Sequence, residues 1–307
     1  MTQSPLVSIA ICIYNGERYL REQLDSIFKQ DYKHIEVIAV DDCSRDRSRD
    51  ILDDFAKKYS NLKIYHNRSN LGYVKNFEKA ISLSSGTYIA LSDHDDIWHP
   101  QKISKQVAAI PGHLLVYHDS QYIDENGKDL NLKMSEILNL FEGSTPIPFI
   151  LKNCVSGHTI LFDRQLISHA LPFNAVFFHD WWLAFVATNL GSIKLIPEVL
   201  VSYRQHVNNT IDMLNIREDE EKTKFYNPLE SDKEWVGHCC NFEGPYRHFI
   251  GKVYHLLNEI TFSNKLRLYF LLYKNLNLFF AINKGARKHK VRDLKKMVFS
   301  LKNNHYK

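Results

Sequence analysis

Three acids fall within four positions, Asp93, Asp95 and Asp96, directly after the apolar run Thr87-Tyr88-Ile89-Ala90-Leu91. Carboxylates crowded at the end of a buried strand repel one another and lose hydration, so a cation ordinarily holds such a cluster. Hard oxygen ligands suit magnesium or manganese, and those ions suit phosphate. The residues therefore point to metal-dependent chemistry on a phosphorylated substrate, with a solvated turn capping the next helix as the plainer alternative. A second acidic strand end is Asp41-Asp42-Cys43-Ser44. Two adjacent acids cannot both face one way along a strand, so one of them can point into a crevice. There it could accept bonds from a base N–H or from ribose hydroxyls. Capping of the following helix is the competing role, compatible with the first.

Two further clusters lie downstream. Phe177-Phe178-His179-Asp180-Trp181-Trp182 sets an acid beside aromatic surface. Burial against aromatics raises a carboxylate's pKa and brings a weak base nearer neutrality, while flat aromatic faces bind sugar rings. Tyr203-Arg204-Gln205-His206 supplies a cation and an imidazole at another strand end. Taken singly, Trp181, Trp182 and His206 read as core or loop residues. Beside two acidic strand ends they read as parts of one site.

The elements that must position these groups alternate in period. Runs at 7–13, 35–41, 62–66, 87–92 and 114–118 have strand character, and helical patterns at 17–29, 45–59, 73–83 and 100–109 lie between them. Such alternation predicts right-handed crossovers and a mostly parallel α/β sheet flanked by helices. Ligands in these sheets lie beyond the carboxyl ends of the strands, where the polar strand ends should converge. Further on, 125–128 reads as a hairpin turn, 155–163, 192–196 and 199–203 as strands, and 180–189 as a helix. A lysine-rich acidic stretch at 217–224 reads as a linker or helix face, and the chain beyond Pro245 looks helical. The boundary is placed near 210–225, giving a domain over 1–215, with halves at about 1–120 and 121–215, and a helical region over 216–307.

Composition narrows the classes. The 307 residues are 44% hydrophobic and 24% charged, the balance of a folded globular protein. A net charge of +4 does not suggest a nucleic-acid partner. Five cysteines form no C-x-x-C pair and leave an odd thiol, which argues for a reducing cytoplasm. The N-terminus shows no signal-peptide pattern. After the first strand there is a single glycine, Gly16, so neither G-x-G-x-x-G nor a P-loop is present. A nucleotide would have to be gripped by side chains and metal. Residues 265–282 are apolar but interrupted by Arg267 and Lys274, too short and charged to span a bilayer. With the basic tail from Lys284 they read either as a helix pair resting on an anionic membrane or as a cap on the sheet.

Over roughly residues 5–210 these motifs, in this order, resemble the family 2 glycosyltransferases of the GT-A fold. Residues 7–16 look like the opening strand and loop. Val40-Asp41-Asp42-Cys43-Ser44 resembles V-D-D-x-S, with Cys43 where glycine is usual. Asn70-Leu71-Gly72 with Lys75-Asn76 resembles the N-x-G segment, and residues 92–98 the S-D-x-D-D-I-W form of the D-x-D motif. His179-Asp180-Trp181-Trp182 falls at the acid–aromatic segment, His179 standing for the commoner Glu, and residues 203–206 match Y-R-x-H. The resemblance implies an inverting transferase that moves a sugar from a UDP- or dTDP-sugar, dTDP-rhamnose among them, to a glycan or lipid-linked glycan in bacterial polysaccharide synthesis. Asp180 would be the catalytic base. Donor contacts would come from Ile13, Tyr14, Asn15, Glu17, Asp42, Ser44, Gly72, Lys75, Asn76, Asp93 and His94. Asp95 and His206 would hold Mn2+ or Mg2+, and His179, Trp181, Trp182 and Arg204 would meet the acceptor or sugar. A metal-dependent hydrolase, a nucleotidyltransferase and a non-catalytic nucleotide-sugar binding subunit are the other readings.

Overall fold

The computed structural model describes residues 4–206 and 227–302. The placed boundary at 210–225 and the stretch 217–224 lie outside these. The first five strands are β1 (Val7–Ile13), β2 (Ile35–Asp41), β3 (Leu62–His66), β4 (Tyr88–Ser92) and the two-residue β5 (Ile97–Trp98). Between them run α1 (Leu20–Phe28), α2 (Ser48–Ala56) and α3 (Tyr73–Leu83), and α4 (Lys102–Ala109) follows β5. These bounds lie within a few residues of the periodic pattern, because continuous apolar runs leave little choice of register.

The remaining strands are β6 (Leu115–Ile123), β7 (Asp129–Lys133), β8 (Leu161–Asp163) and β9 (Ile193–Arg204). The sheet order is β3-β2-β1-β4-β8-β6-β9-β5, with β7 on β6. Strands β3, β2, β1 and β4 are parallel, as the helical crossovers require. Beyond β4 the sheet is mixed, since β8 runs antiparallel to both β4 and β6 while β9 is parallel to β6. The expected strand at 155–163 is therefore only three residues long, preceded by the 3-10 turn Gly157–Thr159. The two expected strands at 192–203 form one strand, β9, whose register against β6 shifts near Asp119. Proline at 197 lacks an N–H for the ladder, which accounts for reading a break there.

Alternation along β1 divides the interior in two. Val7, Ile9, Ile11 and Ile13 face a core with Leu24 of α1, Phe55 of α2 and Ile103 of α4. Ala10 and Cys12 face the other core, with Val74 and Phe77 of α3. That second core continues into α5 (His179–Leu190) and the helices α6 (Lys233–Cys240), α7 (Arg247–Asn258), α8 (Phe262–Lys274) and α9 (Arg287–Phe299). The C-terminal helices thus cap the sheet and share its core. Among the described residues no helix is long and apolar enough to cross a membrane.

Candidate active site

Strand β5 decides where the acids go. Residues 93–96 leave the middle of the sheet at β4 and reach β5, which pairs with β9 through Ile97–Ser202 and Trp98–Val201. The acid loop is thereby stretched across the carboxyl ends of the strands, beside the end of β9. Asp95 Oδ2 meets His206 Nε2 at 2.9 Å, although 111 residues separate them. Arg204, 2% exposed, braces the loop from behind. Its backbone N–H donates to Asp96 Oδ1 (3.1 Å), its Nε to Asp95 O (2.8 Å) and its Nη2 to Glu22 (2.6 Å).

The loop forms one wall of a cleft of about 690 Å3. Ile13, Tyr14, Asn15, Asp42, Gly72, Asn76, Asp93, His94, Asp95, His179, Asp180 and His206 all line it. At the end of β2 the paired acids separate as strand alternation requires. Asp41 turns away to Arg49 (2.7 Å), while Asp42 lines the cleft. Asp42 already accepts the N–H groups of Leu71 (2.8 Å) and Gly72 (2.9 Å), fixing the 70–72 loop. Cys43 has φ +65°, which explains glycine as the usual occupant of that position. Gly16 lies under the His94 ring, where a Cβ would stand 2.5 Å from Cδ2.

Asp180 sits in the first turn of α5. Its Oδ2 accepts the Gly157 N–H at 3.0 Å, and its Oδ1 accepts the Trp181 N–H at 2.6 Å. Burial pushes its pKa up to about 6, against those bonds. Burial and the charges of Asp95 and Asp180 push Asp93 up, to about 7. Burial would also raise Asp95, but the His206 hydrogen bond and the neighbouring imidazoles outweigh it and hold it below the ordinary carboxylate range. His179 stacks on Phe77 at 4.4 Å, and burial lowers its pKa to about 3, so it is neutral.

Several expected contacts fall elsewhere. Glu17 is exposed and accepts the Arg47 N–H (2.9 Å), and Ser44 Oγ accepts the Asn15 N–H (2.9 Å); both tie loops together. Lys75 is engaged by Glu78 and the Phe173 carbonyl. The indole N–H of Trp181 donates to Phe149 O (2.6 Å) and that of Trp182 to Ala170 O (2.9 Å). Both rings pack toward Trp235 of α6, because a helix N-terminus that aims Asp180 at the cleft turns the next residues to the core. Neither these two nor Arg204 is in the cleft wall.

The sequence reading missed a deeper layer. The Lys102 side chain is fully buried, 3.2 Å from the Trp98 ring centroid, and donates to His158 O (2.9 Å). His158 Nδ1 lies 3.9 Å from Asp96 Oδ2. Potential ligand atoms of Asp93, Asp96 and His158 lie within 4.8 Å of one another. Burial and the Lys102 charge lower His158 to about 3. The only signal in the sequence was a lysine among apolar helix positions, which reads as an exposed residue.

The carboxylate of Asp95 and imidazole of His206 converge with hard and borderline donors, a set that fits a divalent cation such as Mn2+ or Mg2+. A cleft with a cation-compatible carboxylate and imidazole at one wall and a separately buried acid at another can hold a diphosphate and take a proton from a hydroxyl.

The sequence profile described as "Glycosyl transferase family 2" matches residues 8–171. An uncharacterized glycosyltransferase of Haemophilus influenzae is 28% identical over 238 residues, covering 73% of each chain. One from Rickettsia typhi is 30% identical over 228 residues, covering 72% of this chain and 70% of its own. Among solved structures, S. aureus TarS 1–349 in complex with UDP-GlcNAc superposes with a TM-score of 0.58 at 16% identity, covering 95% of this chain and 90% of that one. Mannosyltransferase PcManGT from Pyrobaculum calidifontis, in complex with GDP-Man and Mn2+, gives 0.52 at 16% identity, covering 98% and 86%. These two share the fold. The chain belongs to glycosyl transferase family 2 and is a glycosyltransferase of the GT-A fold.

Proposed function

We propose that the cleft transfers a sugar from a nucleoside diphosphate sugar to a hydroxyl of a glycan or lipid-linked glycan, inverting the anomeric carbon in one displacement. The observation that carries this reading is the meeting in one cleft of buried Asp180 with the separate Asp93–Asp95 pair. The nucleotide sugars bound by the two related folds support the donor class.

On this reading Tyr14, Asn15, Asp42 and Asn76 hold the nucleoside, and Asp93 and His94 face the diphosphate and sugar. Asp180 takes the acceptor's proton as the new oxygen–carbon bond forms and the bond to the diphosphate oxygen breaks. A general base typically contributes about 100- to 10,000-fold. Its orientation comes from Gly157 and Trp181, which donate N–H groups to its two oxygens. A divalent cation bound by Asp95 and His206 would neutralise the departing diphosphate. Neutral His179, beside Asp180, can exchange a hydrogen bond with a sugar hydroxyl without adding charge.

The test uses Asp180→Asn with a panel of UDP-, dTDP- and GDP-sugars, first ranked by thermal shift with Mn2+. Turnover should nearly vanish while donor affinity stays unchanged, and NMR of the parent's product should show inverted anomeric configuration. Lost donor affinity, or retained configuration, would overturn the reading. Donor hydrolysis that no acceptor stimulates would favour a hydrolase.

A further inference from the structure

Helix α8 departs from the pattern of a capping helix. Its inner face is ordinary, with Leu268 and Leu272 fully buried in the shared core. Its outer face should be polar, yet it carries Phe262 (70% exposed), Phe270 (58%) and Tyr273 (39%). Helical spacing puts these three on one side together with Leu266, and Arg267 and Lys274 follow along the edge of the same side. Leu266, Arg267, Phe270 and Lys274 line one shallow groove. A helix apolar on opposite sides has two partners, and only one of them is the core.

Charge identifies the other. Residues 262–302 hold eleven Lys or Arg against one acid, Asp293, a formal +10. The whole chain carries only +4, so the remainder is at −6 and the molecule is strongly polarised toward these helices. Helix α9, packed against α8 through Tyr269 and Phe299, exposes Arg287, Lys288, Arg292 and Lys295. Aromatics flanked by long cationic side chains, with acids nearly absent, suit the interface of an anionic bilayer. There the rings enter the headgroup layer and the cations meet lipid phosphates. A nucleic acid would use the cations but would leave Phe262 and Phe270, at the start and middle of one helical turn series, without a groove to enter.

We propose that the outer face of α8, with the basic surface of α9, docks this protein onto an anionic lipid bilayer. The helix lies in the plane of the headgroups. No helix needs to cross the bilayer, and the catalytic cleft is not involved.

Sedimentation of the full chain with phosphatidylcholine vesicles, with and without about one-third phosphatidylglycerol, tests this. Binding is expected only with the anionic lipid, and should be lost between about 0.1 M and 1 M salt. Each basic residue near the surface is worth about fivefold in partitioning, so Arg267→Glu with Lys274→Glu should weaken binding about 25-fold or more. Phe262→Ser with Phe270→Ser should weaken it by about tenfold at unchanged charge. Both variants expose less apolar surface and should keep the parent's melting temperature, which is checked alongside. No binding at low salt, or binding that survives both variants, would overturn the proposal. So would salt-sensitive binding indifferent to the phenylalanine changes, which would mark a general polyanion surface. Self-association that the phenylalanine changes abolish while vesicle binding persists would assign the face to a second copy instead.

Discussion

Gly157 donates its backbone N–H to Oδ2 of Asp180 across 3.0 Å, from a 3-10 turn that precedes the three-residue antiparallel strand β8. The bond aims a buried carboxylate, and it favours the ionised form that burial disfavours.

That balance gives Asp180 two opposite pH signatures. Its pKa is raised from 3.8 to about 6. If it is the base, kcat/KM should fall as pH drops through about 6. Stability runs the other way. The fold holds this proton more tightly than the unfolded chain does, so the favourable contribution is complete below about pH 4 and is lost as pH rises through about 6, some 3 kcal/mol in all. Asp180→Asn removes the titration. Denaturant unfolding should show the variant gaining about 3 kcal/mol relative to the parent between about pH 4 and pH 8. A difference independent of pH would mean the carboxyl is not perturbed.

Lys102 offers a second test, of how the acid loop survives burial. Its amine donates to His158 O beneath the loop; burial pushes its pKa well below the ordinary lysine range, and the charges of Asp96 and Asp93 oppose that shift. Lys102→Met leaves the His158 carbonyl without its donor, which should cost about 1 to 3 kcal/mol. Asp96→Asn in the same chain should recover at least about 1 kcal/mol of this as coupling in a double-mutant cycle. Additive losses in urea midpoints would show that the two groups do not communicate.

These two examples mark where the sequence was legible. Strands β1 to β3 and helix α3 follow from apolar runs and glycine punctuation, and they come out within the predicted residues. The acid loop, Asp42, Asp180 and His206 stand at strand or helix ends, so polar residues after apolar runs betrayed them. Long-range partners were not legible in the same way. Lys102 reads as solvent-facing until Trp98 and His158 enclose it, and β9 reads as two strands because Pro197 interrupts the pattern while its pairing with β6 is invisible in sequence. Trp181 and Trp182 looked like sugar platforms because aromatic character is visible in sequence but direction is not. Helix phase from Asp180 turns both toward the core.

That reorientation is testable at Phe149, whose carbonyl accepts the indole N–H of both Trp181 (2.6 Å) and Trp235 (2.9 Å). The shared acceptor ties the helix that carries Asp180 to the C-terminal cap. Trp181→Phe and Trp235→Phe should each lower stability by about 1 kcal/mol, the usual net value of one such bond. With an acceptor in hand, neither should raise the acceptor KM by more than about twofold, whereas a sugar platform would lose considerably more affinity. A large KM effect of Trp181→Phe at unchanged stability would return that ring to the cleft.

Asp95 and His206 bear on the metal. Their 2.9 Å contact brings the end of β9 onto the acid loop, and Tyr19 stacks on the imidazole at 5.3 Å, so packing fixes the pair from two sides. Where both residues contribute to a cation site, His206→Ala should weaken nucleoside diphosphate binding in Mn2+ by about tenfold or more, the scale on which loss of a supporting ligand acts. Asp95→Ala should do so more strongly, since it removes the formal charge. In chelator both variants should bind the nucleotide as the parent does, because the lost contact runs through the cation. Isothermal titration with and without Mn2+ separates the cases. Equal weakening in chelator would mean that the pair only shapes the loop, with Asp95 held by His206 as a structural ion pair.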